Sequence, residues 1–529
     1  MTRLIVTLSL AASLLNSYAQ SNAPIVDLGY ATYQGSFDPT TNVTNFFGLR
    51  FALPPTGDLR FRAPQPPANV SGVQQADTKP PECFQAGVGL SPTDPFSNQT
   101  VKRQGPQQSE DCLFLDVHIP GSTIPGESLT TIVWIHGGGY VSGNASVFPG
   151  SDLIIESDRQ VVVVTIQYRL GLFGFLAGQA VKDNGALNAG LLDQDFALRW
   201  VQAHISKFGG DPTRVTIWGE SAGAGSVLQH VVANNGQTDP PLFRAAMTSS
   251  TFLPSQYQFN DPIPEALYSQ IVAQTNCSSS PDSLACLRAV DVNTLESVNV
   301  AIVEAGFVGT FVNVPVVDGT FITQRVTEAL KQGKVNGQAI FAMTNTNEGT
   351  DFVNQTAPAN ATVYAGQLFP NFRLEQDEEV ARLYADVGTP LDQVNRIQGE
   401  SIFICPSYFL LSAFPGKSFK GEFALPPAHH GQDVSYYFPS ASPPSFQNPD
   451  FLKAFSQSFL AFAISLNPNN KLDPGNITPP WNTFSVNNTE MLFNRTEDSS
   501  AVVIHTFSTD QDLLDRCSFW ESVAELTGQ

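Results

Sequence analysis

The sequence predicts an α/β fold with a large, mostly parallel central sheet covered by helices on both faces. Three observations carry that prediction. Four apolar, β-branched runs recur along the chain, TTIVWIH (130–136), VVVVTIQY (161–168), VTIW (215–218) and QAIFAMT (338–344), and such nearly continuous apolarity is what a strand buried on both faces needs. Helix-length segments such as LLDQDFALRWVQAHISKFG (191–209) separate them. This alternation builds βαβ units, because parallel neighbours require a crossover of a dozen or more residues. No internal repeat, heptad or low-complexity tract interrupts the pattern, and Pro-rich loops such as PPSFQNP (443–449) do not form a linker. Residues 20–529 therefore read as one large domain.

The N-terminus is set apart from that domain. In MTRLIVTLSLAASLLNSYAQ, Arg3 gives a short basic start and Leu4 to Leu15 an apolar stretch, while Ser17 and Ala19 have the small-residue spacing of a signal peptidase site. A leader over residues 1–19 and a mature chain beginning at Gln20 are expected, hence a secreted, extracellular protein. The apolar stretch is too short to cross a bilayer, and no later segment reaches the necessary length, so no integral membrane segment is expected. The ending CSFWESVAELTGQ carries neither a lipid-anchor tail nor a retention signal.

Export makes the six cysteines, an even set, candidates for disulfides. Cys277 and Cys286 enclose so short a loop that a local bridge is the first expectation. Ten N-x-S/T triplets, headed by Asn42, Asn69, Asn98, Asn144, Asn276, Asn354, Asn360, Asn476, Asn487 and Asn494, predict a glycosylated surface, with Pro479 weakening the site at Asn476. The formal charge of -21 and the lack of a basic patch exclude a nucleic-acid partner, which needs clustered Lys and Arg.

Chemistry enters at VTIWGESAGAGS (215–226). Gly219-Glu220-Ser221-Ala222-Gly223 fits G-x-S-x-G, a sharp strand-to-helix turn that lifts a nucleophilic serine above a sheet edge. The apolar run before Ser221 supplies the strand, AGAGSVLQHVVANN supplies the helix, and the glycines at 219 and 223 let the two approach. A serine hydroxyl also needs a base to take its proton and a carboxylate to orient that base. On this kind of turn the chain order is Ser, acid, His.

Of seven histidines, His429, His430 and His505 lie far enough downstream. His505, inside AVVIHTF, reads as a packed or edge-strand residue, whereas His429 and His430 share the loop PPAHHGQD, a context suited to catalysis. For the acid, Glu348 in QAIFAMTNTNEGTDF stands just beyond a predicted strand, on the rim that holds Ser221. Asp351 is its nearest rival, and Asp318 in VPVVDGTF reads as a turn residue. Donors for a tetrahedral oxygen are offered by IVWIHGGGY, where a strand ends at His136 and Gly137 to Gly139 follow, and by the N–H of Ala222. Adjacent histidines do not face one ion together, and no Cys or carboxylate cluster supports a metal. No nucleotide or flavin signature is present, and chemistry of this kind needs no cofactor.

With these residues in place the chain resembles the type-B carboxylesterases, the α/β-hydrolase family that includes cholinesterases and secreted fungal lipases. The resemblance runs through FFGLRFALPPTGDLRFRAPQPP (46–67), SEDCLFLDV (109–117), WIHGGGYVSG (134–143), NAGLLDQDFALRWVQAHISKFGGDPTRVTIWGESAGAGSV (188–227), PVVDGTF (315–321) and RCSFW (516–520), so it covers nearly the whole mature chain. It implies Ser221 as nucleophile and Glu348 as acid. It implies His430 as base, because the family's histidine precedes a small residue with an acidic residue two further on, as in His430-Gly431-Gln432-Asp433. Gly138, Gly139 and Ala222 match the oxyanion donors. Glu220 and Ser249, the latter in RAAMTSS, resemble buried polar positions behind the site, and Ser250 replaces the glycine usual there.

The same resemblance implies three bridges, Cys83 with Cys112, Cys277 with Cys286, and Cys405 with Cys517. The first closes a loop of about thirty residues, worth roughly 3–4 kcal/mol in the chain-entropy account. The implied activity is hydrolysis of a carboxylic ester through an acyl-serine. The substrate is either a short-chain or aromatic ester or a long-chain acyl or sterol ester. Cholinesterases hold a quaternary ammonium on a tryptophan in the first disulfide loop. That loop has no Trp here, so a choline ester is not expected. In the family's lipases the loop is a mobile lid, and Phe84, Leu90 and Phe96 offer it an apolar face, while its Gln, Ser and Pro content equally suits a plain surface loop. The alternative to an enzyme is a binding or adhesion protein on the same fold, since some family members have lost the serine. The intact Ser221, Glu348 and His430 favour the enzyme.

Overall fold

Strand sequences dictate the architecture of the computed structural model, which describes residues 23–92, 108–126, 128–356 and 360–529. The expected leader, Phe96 and Asn98 lie outside these residues. In chain order the strands are β1 (Ile25–Asp27), β2 (Thr32–Gln34), β3 (Ser36–Asp38), β4 (Val43–Arg50), β5 (Val73–Gln75), β6 (Phe114–Pro120), β7 (Leu129–Ile135), β8 (Val161–Ile166), β9 (Gly210–Glu220), β10 (Ala245–Ser249), β11 (Ala339–Asn345), β12 (Ser418–Phe423), β13 (Thr489–Arg495) and β14 (Val502–Ser508). Eleven of them form one sheet in the order β14-β13-β12-β11-β10-β9-β7-β8-β6-β4-β3, and β1, β2 and β5 form a small separate sheet. The stretch from β13 to β8 is parallel throughout. Antiparallel strands flank it at both ends.

The four apolar runs of the sequence become β7, β8, β9 and β11, buried on both faces because successive side chains point to opposite sides. Val133 and Ile217 enter one core with Leu198, Val227 and Val231. Their neighbours Trp134 and Trp218 enter the other with Leu153 and Phe459. Helices Ala189–His204 and Ala222–Gly236 cover the first face, and helices Gly150–Glu156 and Pro449–Ser465 the second. On the second face Trp134 meets Trp218 edge to face, with centroids 5.1 Å apart, and Trp218 stacks on Phe459 at 4.8 Å. The helix expected over 191–209 is Ala189–His204 followed by a tighter turn, Ile205–Phe208, which stops at Gly209 with φ +82°.

Three disulfides join Cys83 to Cys112, Cys277 to Cys286 and Cys405 to Cys517. Among the described sequons, Asn42, Asn69, Asn276, Asn354, Asn360 and Asn487 are exposed and Asn494 is half-buried. Asn144 and Asn476 are different. Both are buried, and their amides donate inward, Asn144 to Glu82 at 2.6 Å and Asn476 to Gln457 at 3.3 Å. Both side chains are thus engaged within the fold, unlike the exposed sequons. No helix among the described residues is long and apolar enough to cross a membrane.

Candidate active site

The parallel strands β7, β9, β11 and β12 end on one rim, and each delivers one part of the site there. β9 ends at Glu220 and the chain turns at Ser221, whose φ of +55° and ψ of -126° lie in a region that side chains seldom adopt, at a cost of about 1–3 kcal/mol. Two backbone bonds hold the turn: Ser221 N–H donates to Ser249 O at 2.9 Å and Gly225 N–H to Ser221 O at 2.8 Å. The flanking glycines are forced by contact. A Cβ on Gly223 would lie 2.0 Å from Ile135 O, and one on Gly219 would lie 2.4 Å from the Gly223 carbonyl carbon. The helix Ala222–Gly236 starts directly after the serine, so its unpaired N-terminal amides begin beside the hydroxyl.

The loops that carry Glu348 and His430 are zipped together. After β11 ends at Asn345, Asn347 N–H donates to Ala428 O at 2.9 Å and its amide to Pro427 O at 2.7 Å, fixing Glu348 and His430 on facing turns. His430 Nε2 lies 2.9 Å from Ser221 Oγ, and His430 Nδ1 lies 2.6 Å from Glu348 Oε2. Phe403 and Phe352 pack on the imidazole with centroids 4.4 and 4.9 Å away. The rival candidates are placed elsewhere. His429 pairs with Asp351 at 3.2 Å on the surface, His505 is exposed on edge strand β14, and Asp318 accepts the amides of Thr320 and Phe321 as a turn residue.

Buried carboxyls surround the imidazole. Burial pushes Glu220 up to about 8, and its Oε1 lies 3.3 Å from His430 Nε2. Burial likewise lifts Asp433 to about 6, against the donors Tyr437 and Asn345. For His430, burial favours the neutral ring, but the adjacent Glu348 carboxylate, its hydrogen bond, and then Glu220 and Asp433 overcome this and raise the ring to about 9.

Ser249 is buried, as expected, yet its hydroxyl bonds Trp218 and Tyr437 and does not touch Glu348. The hydroxyl on Glu348 belongs to Ser250, donating at 2.7 Å, and Asn345 N–H donates to the same oxygen at 2.6 Å. Reading the sequence alone missed Ser250, Asn345, Tyr437 and the two phenylalanines. A trace of Ser250 was visible as a departure from glycine.

Backbone geometry orders the glycine run after β7. His136 Nδ1 lies 2.9 Å from Gly137 O, while Val141 and Ser142 N–H donate to Gly138 O at 3.0 and 2.9 Å. Because carbonyl and N–H oppose one another across a trans peptide, the N–H groups of Gly138 and Gly139 point away from these partners. An apolar cavity of about 400 Å³ lies nearby, walled in part by Phe252, Phe311, Leu267, Leu368 and Ile402. Phe311 also crowds Gly139, where an added Cβ would meet its ring at 2.1 Å. A larger cavity of about 730 Å³ opens behind Glu348 and His429, and Ser221 is part of the wall of neither.

Comparisons with known proteins give the family of the chain. The sequence model described as the carboxylesterase family matches residues 22–520. Lipase 4 of Diutina rugosa is 32% identical over 475 residues, covering 80% of this chain and 84% of its own. A secreted lipase of Arthroderma benhamiae is 30% identical over 449 residues, covering 81% and 85%. The crystal structure of Aspergillus niger EstA superposes with a TM-score of 0.83 at 29% identity, over 96% of this chain and 100% of that one. An adhesion protein on the same fold is therefore not the reading these relatives support. With an α/β-hydrolase sheet and a family match that spans nearly its whole length, this chain belongs to the carboxylesterase family and is a carboxylic ester hydrolase.

Proposed function

We propose that Ser221, His430 and Glu348 act as a catalytic triad on a secreted, single-domain esterase, with Gly138, Gly139 and Ala222 as the oxyanion hole. The observation that carries the proposal is the continuous hydrogen-bonded line from Ser221 Oγ through His430 to Glu348, at 2.9 and 2.6 Å. Neutral His430 takes the Ser221 proton as Oγ bonds the ester carbonyl carbon. The carbonyl oxygen becomes negative and accepts the three amides. As the tetrahedral carbon collapses, His430 returns the proton to the leaving alcohol and an acyl-serine remains; water repeats the sequence and releases the acid. Glu348 stabilises the imidazolium without taking its proton. Export fits the leader-like residues 1–19 and the name of the Arthroderma benhamiae relative.

His430 works only when neutral, so kcat/KM falls as pH drops through its pKa. Its environment raises that value, so the acid limb lies above the unperturbed 6.5 and activity still climbs at pH 7–8. The test of the site is covalent. A nitrophenyl phosphonate should inactivate the protein with one equivalent bound, and peptide mass spectrometry should find the adduct on Ser221. An adduct on another residue accompanying the loss of activity sinks the assignment.

For the substrate, the apolar cavity supports an ester with an apolar acyl part. Phe311, in the cavity wall and against Gly139, limits its length. In a nitrophenyl ester series from acetate to palmitate the rate should peak at short to medium chains. Phe311→Ala should raise the long-to-short ratio about tenfold by opening the cavity toward Gly139. An unchanged ratio would remove Phe311 from the account.

A further inference from the structure

We propose that Ser250 is a positioning residue for Glu348, reserving one carboxylate oxygen so that the other stays aimed at His430. Ser250 follows β10 and is fully buried, with φ +58°, a backbone conformation that favours glycine. The family's usual glycine would sit there without strain. Serine is held in place because its N–H donates to Met343 O at 2.8 Å and its hydroxyl donates to Glu348 Oε1 at 2.7 Å. Asn345 adds its backbone N–H to the same oxygen at 2.6 Å, and its side-chain amide donates to Ser250 Oγ at 3.2 Å and to Asp433 at 3.0 Å. Glu348 Oε1 is thus occupied by fixed donors, and Oε2 is left for His430 Nδ1.

Two effects follow. The hydroxyl fixes the rotation of the carboxylate, and it draws negative charge toward Oε1, away from the imidazolium. The other titratable groups around the ring are Glu220, 3.3 Å from Nε2 on the strand before the serine, and Asp433 in the ring's own loop, bridged through Asn345. Phe352 and Phe403 present uncharged faces, and the His429–Asp351 pair lies on the outer side of the loop. Removing the Ser250 hydroxyl leaves Oε1 held by the Asn345 N–H, so Glu348 is fixed less firmly and more of its charge falls on the ring. The acid limb of kcat/KM then moves to higher pH.

The inference rests on the triad reading above, so wild-type protein with and without phosphonate on Ser221 is run alongside. S250G removes the hydroxyl and suits the backbone; S250A removes the hydroxyl alone. For both we expect kcat on the alkaline plateau to fall about tenfold, the loss of one hydrogen bond to a charged group, with KM within twofold. The acid limb should rise by roughly half a unit. Melting temperatures check that each variant folds. Wild-type kcat in S250G, or a loss of rate with an unmoved acid limb in either variant, overturns the proposal. A wild-type rate that phosphonate on Ser221 leaves untouched overturns the triad reading instead.

Discussion

Ser221→Ala is expected to lower kcat on a nitrophenyl ester about a millionfold, with His430→Ala close behind and the double variant no worse than either. On the triad proposed above, Ser221 and His430 act on one proton, so removing either removes the same transition-state stabilisation, and the losses do not add. His429→Ala should keep activity within about threefold, because its imidazole is half-exposed and pairs with Asp351 rather than with the serine; an exposed pair of this kind contributes little. The pair of adjacent histidines thus makes its own control. Rates are compared with melting curves to show that each variant folds. If His429→Ala were as damaging as His430→Ala, the hydrogen bond at 2.9 Å between His430 Nε2 and Ser221 Oγ would not be the productive one.

The buried carboxyls around His430 raise its pKa, so the ring stays charged to a higher pH than a free imidazole. Glu348, Glu220 and Asp433 cannot all be ionised around one ring at low cost, since like charges in a buried site repel strongly. Burial retains a proton on Glu220 near neutral pH, and Asp433 is drawn upward for the same reason. Glu348 then dominates the field on the ring through its short hydrogen bond to Nδ1. Protons in such a group belong to the cluster, and the pH profile reports the cluster's macroscopic values.

How far this was legible in the sequence depends on whether the determinant is local or tertiary. The G-x-S-x-G turn, the glycine run after His136 and Glu348 beyond β11 are local: each is a strand end followed by the residues its turn demands. The fold class was legible for the same reason, in the apolar runs that became β7, β8, β9 and β11. Strands β3, β4, β6, β10, β12 and β13 carry weaker patterns and were not assigned, whereas AVVIHTF reads as strand-like and is β14. Choosing His430 over His429 needed the family resemblance, because neighbouring residues on a loop differ only in direction.

Ser249 and Ser250 show the same limit at a strand end. Ser249 closes β10 and meets Trp218 and Tyr437, while Ser250, in the turn that follows with φ +58°, meets Glu348. The pairing of Ser249 with Met343 between β10 and β11 brings Ser250 to the acid, and that register cannot be read from either strand alone. The burial of Asn144 and Asn476 could not be read from their triplets for a related reason. The triplet is local, while burial is set by segments far away in sequence.

Gly138→Ala should cost kcat about a hundred- to a thousandfold, the loss typical of one oxyanion donor. Gly138 has φ +105°, which disfavours any side chain, and a Cβ there would lie 2.2 Å from Ser142 O, a backbone atom that cannot swing aside. The peptide must rotate, and with it the N–H groups that the anchored carbonyls of Gly137 and Gly138 now orient. KM should change little, because the charge these amides meet develops in the transition state. Gly319→Ala is the control: its φ is +73°, but nothing lies within 4 Å of the added Cβ. It should lower stability by about 1 kcal/mol or somewhat more through backbone strain and leave kcat intact. A Gly138→Ala protein that folds and keeps full activity would show that the glycine run after β7 shapes the chain without meeting the oxyanion.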